Sequence, residues 1–147
     1  MIIAGYPCIG KSTVAARNPK FIDLESSNFS QTGLIDWVSQ YVKVAEDLNK
    51  TGHHVFVSTH PDVIPLLKHN NDFMLVFPDL SLGAMWKDRA GRRYDQQSQN
   101  EIERDKNGRA LARIVEHYEE DITSLMQYNC SRIILHDMVT KIDDIIR

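Results

Sequence analysis

Gly5-Tyr6-Pro7-Cys8-Ile9-Gly10-Lys11-Ser12 is the stretch whose residue types and spacing most clearly suit chemistry. It follows the pattern G-x-x-x-x-G-K-[S/T], which binds phosphate chains. Each fixed position has a task. The glycines let the backbone curl until its N–H groups face phosphate oxygens. Lys11 carries a mobile point charge to the β- and γ-phosphates. Ser12 offers a hydroxyl to Mg²⁺, and the helix that starts there aims its positive dipole end at the anion. Pro7, Cys8 and Ile9 make the curl between the glycines, and Thr13 follows the metal-binding hydroxyl, so all four join the expected nucleotide contact. The flanks fit the motif: Met1-Ile-Ile-Ala4 is an apolar run suited to a buried strand, and Ser12 to Arg17 suits a helix. Cys8 at such a helix start could have a lowered pKa and be oxidisable. The plainer alternative is a small filler of the loop.

The elements that must position this loop alternate between strand and helix. Phe21 to Leu24 reads as a second strand. Leu34, Val38, Tyr41, Ala45 and Leu48 recur at helical spacing, with Trp37 and Val44 widening the stripe, and Gly52 ends that helix. His54 to Val57 reads as a third strand. Pro61 can open a helix whose apolar positions are Val63, Ile64, Leu66 and Leu67. Phe73 to Phe77 is a fourth strand, closed by Pro78. Leu82 to Tyr94 reads as a helix that becomes strongly basic. Asp95 to Asn107 is polar, glutamine-rich and without apolar periodicity. Leu111, Ile114, Tyr118, Ile122 and Leu125 mark a long helix, Ile133 to Leu135 a fifth strand, and Ile142, Ile145 and Ile146 a terminal helix. Strands alternating with helices predict a parallel sheet covered on both faces, with ligands bound beyond the carboxyl ends of the strands. That rule gathers the P-loop, Asp23 with Glu25, and Ser58-Thr59-His60 in one place.

The 147 residues fit a single domain, 1–147, and a formal charge of −3 gives no general attraction to nucleic acid or to anionic membrane. No apolar run is long enough to span a bilayer, and an N-terminus that is already strand and loop is not expected to be a cleavable signal. Two cysteines, Cys8 and Cys130, make neither a disulfide framework nor a zinc motif, so a reducing cytoplasm is the expected compartment.

The phosphate loop at the start, an Asp at the end of the second strand and an arginine-rich segment after the fourth resemble the small P-loop kinases. These include the adenylate kinase-like nucleoside monophosphate kinases, shikimate kinase and gluconate kinase. Phe21-Ile-Asp-Leu-Glu-Ser-Ser-Asn-Phe29 and Val55-Phe-Val-Ser-Thr-His60 are similar to stretches of short adenylate kinase-like proteins often encoded by phages and their bacterial hosts. The resemblance covers nearly the whole chain in element order, but its motifs are specific only at the P-loop. It implies a three-layer α/β/α P-loop NTPase fold, a five-stranded parallel sheet in the order 2-3-1-4-5 and a short basic lid over about 87–107. It also implies ATP and Mg²⁺, with transfer of the γ-phosphoryl group to a small acceptor.

Asp23 can hold Mg²⁺ through water together with Ser12, or accept a proton from an attacking hydroxyl; a strand-end Asp can also just cap a turn. Many P-loop proteins carry an acid after the third strand. Here the strand runs into Ser58-Thr59-His60, which shifts the metal role toward Ser12 and Asp23. Glu25, Ser26, Trp37 and His60 are the acceptor candidates. At their spacing Trp37 and Tyr41 read first as core, and His60 reads equally as the N-terminus of the next helix. Lys87, Arg89, Arg92 and Arg93 crowd one segment. Arg89 and Arg93 are expected to neutralise the transferring group, and Arg92 and Arg113 to contact the nucleotide, Arg113 by a weak analogy with the return from the lid. A solvated basic face is the alternative. His136 and Asp137 follow the fifth strand, where related kinases build part of the adenine pocket. Glu116, Glu119, Glu120 and Asp121 read as a solvated helix face.

The expected activity is therefore ATP-dependent phosphorylation of a small molecule, with a nucleotide or nucleoside-type acceptor first. Two alternatives stand beside it: phosphorylation of a hydroxyl on a metabolite or nucleic-acid end, and a nucleotide-binding switch or slow ATPase acting through a protein partner. The lack of an Asn/Thr-Lys-x-Asp guanine-reading motif favours adenine. No membrane partner is expected, nucleic acid is disfavoured, and oligomeric state is open.

Overall fold

A computed structural model describes residues 1–70 and 72–146. Five strands form one parallel sheet in the order β2-β3-β1-β4-β5. They are β1 (Ile2–Gly5), β2 (Phe21–Asp23), β3 (His54–Ser58), β4 (Phe73–Pro78) and β5 (Ser131–Leu135). Among the described residues the helices are α1 (Lys11–Arg17), α2 (Ser27–Ser30), α3 (Trp37–Lys50), α4 (Val63–Asn70), α5 (Gly83–Gln97), α6 (Glu101–Met126) and α7 (Ile142–Ile145), with a 3₁₀ turn over Leu80–Leu82. Among the described residues no helix is long and apolar enough to cross a membrane. The expected sheet order holds, and strand edges differ from expectation by a residue or two.

β1, β3 and β4 read as continuous apolar runs because both their faces are covered, whereas β2 and β5, at the sheet edges, are only partly buried. Ile2, Ile3, Ala4, Val55, Phe56, Leu75 and Val76 are fully buried. β1 lies between β3 and β4, with Gly5 opposite Ser58 on one side and Val76 on the other. β2 pairs with β3 so that Asp23 lies opposite Phe56.

The chain divides into two compact units. The first comprises Met1–Val76, Cys130–Ile133 and Lys141–Arg147; the second comprises Phe77–Asn129 and Ile134–Thr140. In the first unit Tyr41, Val42 and Ala45 of α3 and Val63, Ile64 and Leu67 of α4 are buried with the strands. In the second the core is Trp86 and Ala90 of α5 with Ile114, Tyr118, Ile122 and Leu125 of α6.

Three expectations about helices need correction. Leu34 lies outside α3, half exposed, and Val42 takes the buried place instead. The short helix α2 follows Glu25, in a stretch where no element was expected. Asp95 to Asn107 is not an aperiodic loop: α5 runs to Gln97 and α6 begins at Glu101. The start of α6 is set by a cap. Asn100 Oδ1 accepts from Glu103 N–H at 2.8 Å, and Glu103 Oε2 accepts from Gln99 N–H at 3.0 Å. This Asn-x-x-Glu pattern is a capping-box relative and satisfies amides that the helix leaves open. Asn107, the buried polar residue of the segment, donates to Ser98 Oγ at 3.2 Å. The expected lid segment, about 87–107, is thus the meeting of two helices.

Candidate functional site

The Gly5–Ser12 loop leaves the carboxyl end of β1, the middle strand, and closes at Gly10, which caps α1 in the left-handed conformation (φ 100°, ψ 20°). Cys8 also has positive φ, 69°. A non-glycine residue there is uncommon and strained, and such turns point successive N–H groups into one concavity that suits an anion. The carbonyl of Gly10 starts the helix by accepting from Val14 N–H at 3.0 Å. Gly5 is needed for space: a Cβ there would run into the Ile9 side chain and stand 3.0 Å from Lys11 Cδ. Lys11 Nζ donates to the Gly5 carbonyl at 2.7 Å, so the ammonium lies folded across its own loop. Pro7 and Lys11 are half-buried, Cys8 and Ile9 are buried, and Ser12 and Thr13 stand exposed on the first turn of α1.

Beside the loop, the carboxyl ends of β2 and β3 are joined by a residue that sequence reasoning read first as core. The Tyr41 hydroxyl donates to the Leu24 carbonyl at 2.6 Å and accepts from Ser58 N–H at 2.9 Å. Burial is the main cause that pushes this phenol well above its usual pKa; nearby Glu25 and Asp23 add to it. The clamp holds the peptide after Asp23 against the peptide at the end of β3. Its only sequence signal was a tyrosine, rather than a phenylalanine, at a core position; a buried hydroxyl needs partners.

Around the clamp lie the acceptor candidates. Asp23, Glu25 and Ser26 are half-buried, and Ser27 donates to Glu25 Oε1 at 3.2 Å. Trp37, in the first turn of α3, is half-buried and meets His60 edge to face, with ring centroids 5.2 Å apart and planes at 85°. Trp37 therefore sits at the rim of the core rather than within it. Of the two roles weighed for it, His60 takes the structural one, at the start of the next helix. Its carbonyl accepts from Val63 and Ile64 and its Nδ1 accepts from Asp62 N–H at 3.1 Å, which opens α4. With Nδ1 accepting, the proton of the neutral ring is on Nε2.

The second unit holds the basic residues. Arg89 Nη2 donates to the Met138 carbonyl at 2.5 Å, and its guanidinium lies 4.5 Å from the centre of the Trp86 ring. Arg92 pairs with Asp88 at 3.0 Å on an exposed face. Arg93 is half-buried. Ala84, Met85, Asp88, Arg89, Arg92 and Met138 line an open groove of about 430 Å³. Arg113 binds Asp121 on its own helix, Nε to Oδ2 at 2.8 Å, a local pairing the expected nucleotide contact did not anticipate. Glu116, Glu119 and Glu120 are exposed, as expected of a solvated face, with His117 Nδ1 3.3 Å from Glu120.

A second tyrosine clamp organises this unit. Tyr118 OH donates to the Asp79 carbonyl at 2.7 Å, and Asp79 N–H donates to Leu135 O at 2.8 Å. The Asp79 carboxylate accepts from the Ser81 hydroxyl and from Ser81 N–H, which holds its pKa below the usual value. Asp137 accepts from the Thr140 amide and hydroxyl and from Val139 N–H, with the same effect. It orders the turn after β5, and His136 is exposed beside it.

Among the described residues no group of three or more His, Cys, Asp or Glu side chains could hold a metal by itself. The Ser12 hydroxyl, exposed on α1, and the Asp23 carboxylate, half-buried at the end of β2, are oxygen donors of the kind Mg²⁺ takes, an ion that keeps much of its water and needs few protein ligands. No protein-family model matches the chain, and no curated protein gives a match.

Proposed function

We propose that the chain is a P-loop phosphotransferase, built on the P-loop NTPase fold with three layers. More particularly, we read it as a small ATP-dependent kinase that passes the γ-phosphoryl group to a nucleotide or nucleoside-type acceptor. The observation that carries this reading is the loop itself. Gly5 to Ser12 leaves the middle strand of a 2-3-1-4-5 parallel sheet, turns through left-handed Cys8 and Gly10, and opens α1 with Lys11 in reach of the loop interior.

The work of each residue follows from its place. The loop amides and the N-terminus of α1 bind the phosphate chain. Lys11 exchanges the Gly5 carbonyl for phosphate oxygens. Ser12 and Asp23 would hold Mg²⁺ arriving with ATP, which would neutralise phosphate charge. Little covalent help is required, since phosphoryl transfer depends mainly on positioning and charge.

The test combines ATP binding with coupled ADP release across a panel of acceptors. Lys11→Ala is expected to lower turnover by about 10²–10³-fold, the usual loss for one charge-stabilising donor. Turnover unchanged in that variant, or no binding of ATP, would overturn the reading. ADP release that no acceptor stimulates would instead favour a switch or slow ATPase.

A further inference from the structure

Lys11 and Ser12 ride on α1, a helix of only 7 residues. A helix of about two turns has little stability of its own in water, so what it packs against decides how it lies. Val14 is its one buried residue; Ser12, Thr13, Ala16 and Arg17 are exposed. Past Arg17 the chain turns at once into β2. Asn18 N–H donates to the Val14 carbonyl, and the Asn18 carbonyl accepts from Phe21 N–H, both at 3.0 Å. One valine and a turn are a slight anchor for the helix that must present Lys11.

A second anchor comes from 126 residues away. Arg17, the last residue of α1, donates twice to the Asp143 carboxylate of α7, Nε to Oδ2 at 3.1 Å and Nη2 to Oδ1 at 2.5 Å. A bidentate fork of this kind fixes orientation as well as distance. The Asp143 side chain is 18% exposed and that of Arg17 41%, against 57% and 75% in the Lys43–Asp47 pair, so water screens this pair less. The turn that carries Asp143 is itself seated. Ile142 and Ile146 are buried, Asp144 and Ile145 are exposed, and Ile146 N–H donates to the Ile142 carbonyl at 3.0 Å. Lys11 stands at the other end of α1, about 9 Å along the axis from Arg17.

Resting on the reading of Gly5 to Ser12 as a phosphate loop, we infer that α7 is a clasp that sets nucleotide affinity from outside the site. Arg17 and Asp143 are positioning residues. By fixing the far end of α1 they fix the direction in which Lys11 and the loop meet a triphosphate. The coupling runs both ways: a clasp that strengthens ATP binding is itself strengthened by ATP, by the same factor.

The test titrates the full chain with ATP and Mg²⁺ in the parent, Arg17→Ala, Asp143→Ala, the double variant and Arg17→Lys, at a temperature where melting curves show each one folded. Each alanine variant is expected to weaken ATP binding about five- to tenfold, the lower end of coupling between separate sites. The double variant should lose no more than either single one, because the residues act as a pair. Arg17→Lys keeps the charge without the fork and should lose less. Hydrogen exchange reads the reverse direction: ATP should slow exchange of the Ile146 amide in the parent by about the same five- to tenfold, and not in Asp143→Ala. A pair that only supports the fold would lower the melting temperature and leave ATP affinity unchanged. That result, or a double variant whose loss is the product of the single losses, overturns the clasp and leaves the phosphate-loop reading standing. A parent chain that binds no ATP removes both.

Discussion

The two compact units use opposite means to prepare for charge. The first shapes its proposed anion cradle from backbone: two left-handed residues, a glycine with no room for a Cβ, and one lysine lying across the loop. The second uses side chains, with Arg89 on the Met138 carbonyl and the Trp86 ring, Arg92 on Asp88 and Arg113 on Asp121. A backbone cradle exists as soon as the loop folds and demands particular residue types at fixed spacing. An arginine can satisfy itself locally, and its sequence position does not tell which partner it takes. Yet both units share one device, a buried tyrosine whose hydroxyl ties a helix to the peptide that ends or follows a strand: Tyr41 to Leu24 and Ser58, Tyr118 to Asp79.

The comparison is broken most forcefully at the cradle. Gly10→Ala places a side chain at φ 100° and is expected to cost about 1–2 kcal/mol of stability. A distorted loop should also weaken ATP binding by about tenfold or more, which corresponds to about 1.4 kcal/mol. Urea unfolding and nucleotide titration measure the two effects. A variant with both unchanged would show that the loop is not the preorganised element described.

The paired tyrosines sharpen it next. Tyr41→Phe and Tyr118→Phe each leave a buried backbone partner without its bond, at an expected cost of about 1–3 kcal/mol. Their functional effects should part company. Tyr41→Phe should also raise the acceptor KM because it frees the Asp23 and Ser58 segments, whereas Tyr118→Phe should leave that KM unchanged. Identical kinetic effects would sink the distinction.

A smaller effect is expected at the junction of α5 and α6. Asn100→Ala removes the cap of α6 and should cost about 0.5–2 kcal/mol, read from the denaturation midpoint. No change there would mean that packing alone sets the helix start.

The smallest effects are those of pH, and they differ between the units. Burial, the Met1 ammonium and Lys20 lower the pKa of His54 below its ordinary 6.5. The unfolded chain therefore takes up this proton more readily. The contribution of neutral His54 is complete above pH 6.5 and is lost as pH falls through the lower folded value. Asp79 also has a lowered pKa, but from hydrogen bonds with Ser81, so its contribution is complete above the ordinary 3.8 and drains only in stronger acid. Stability measured from pH 7 to 5 should lose its slope in part in His54→Phe and keep it in Asp79→Ala; the reverse result would reject this assignment.

Much of the fold was legible because the inner strands are covered on both faces and so read as unbroken apolar runs between turn residues. The cradle was legible because its conformation admits few residue types. The α5–α6 junction was less so. Its polar residues hide a helix whose stability comes from the Asn100 cap and from the later apolar stripe, and the Asn-x-x-Glu signature there was the signal that could have revealed it. Leu34 misled because it extends the helical period of α3 one turn beyond where the chain becomes helical.

By itself the sequence determined the alternation of strand and helix, the strand order expected from resemblance, and the loop from Gly5 to Ser12, because periodicity and left-handed turns are local constraints. Tertiary structure alone decided what the longer side chains do. It made Tyr41 a clamp between two strand ends, stood Trp37 against His60, and gave Arg89 to Met138 and Arg113 to Asp121. A long polar side chain reaches many neighbours, and only packing chooses among them.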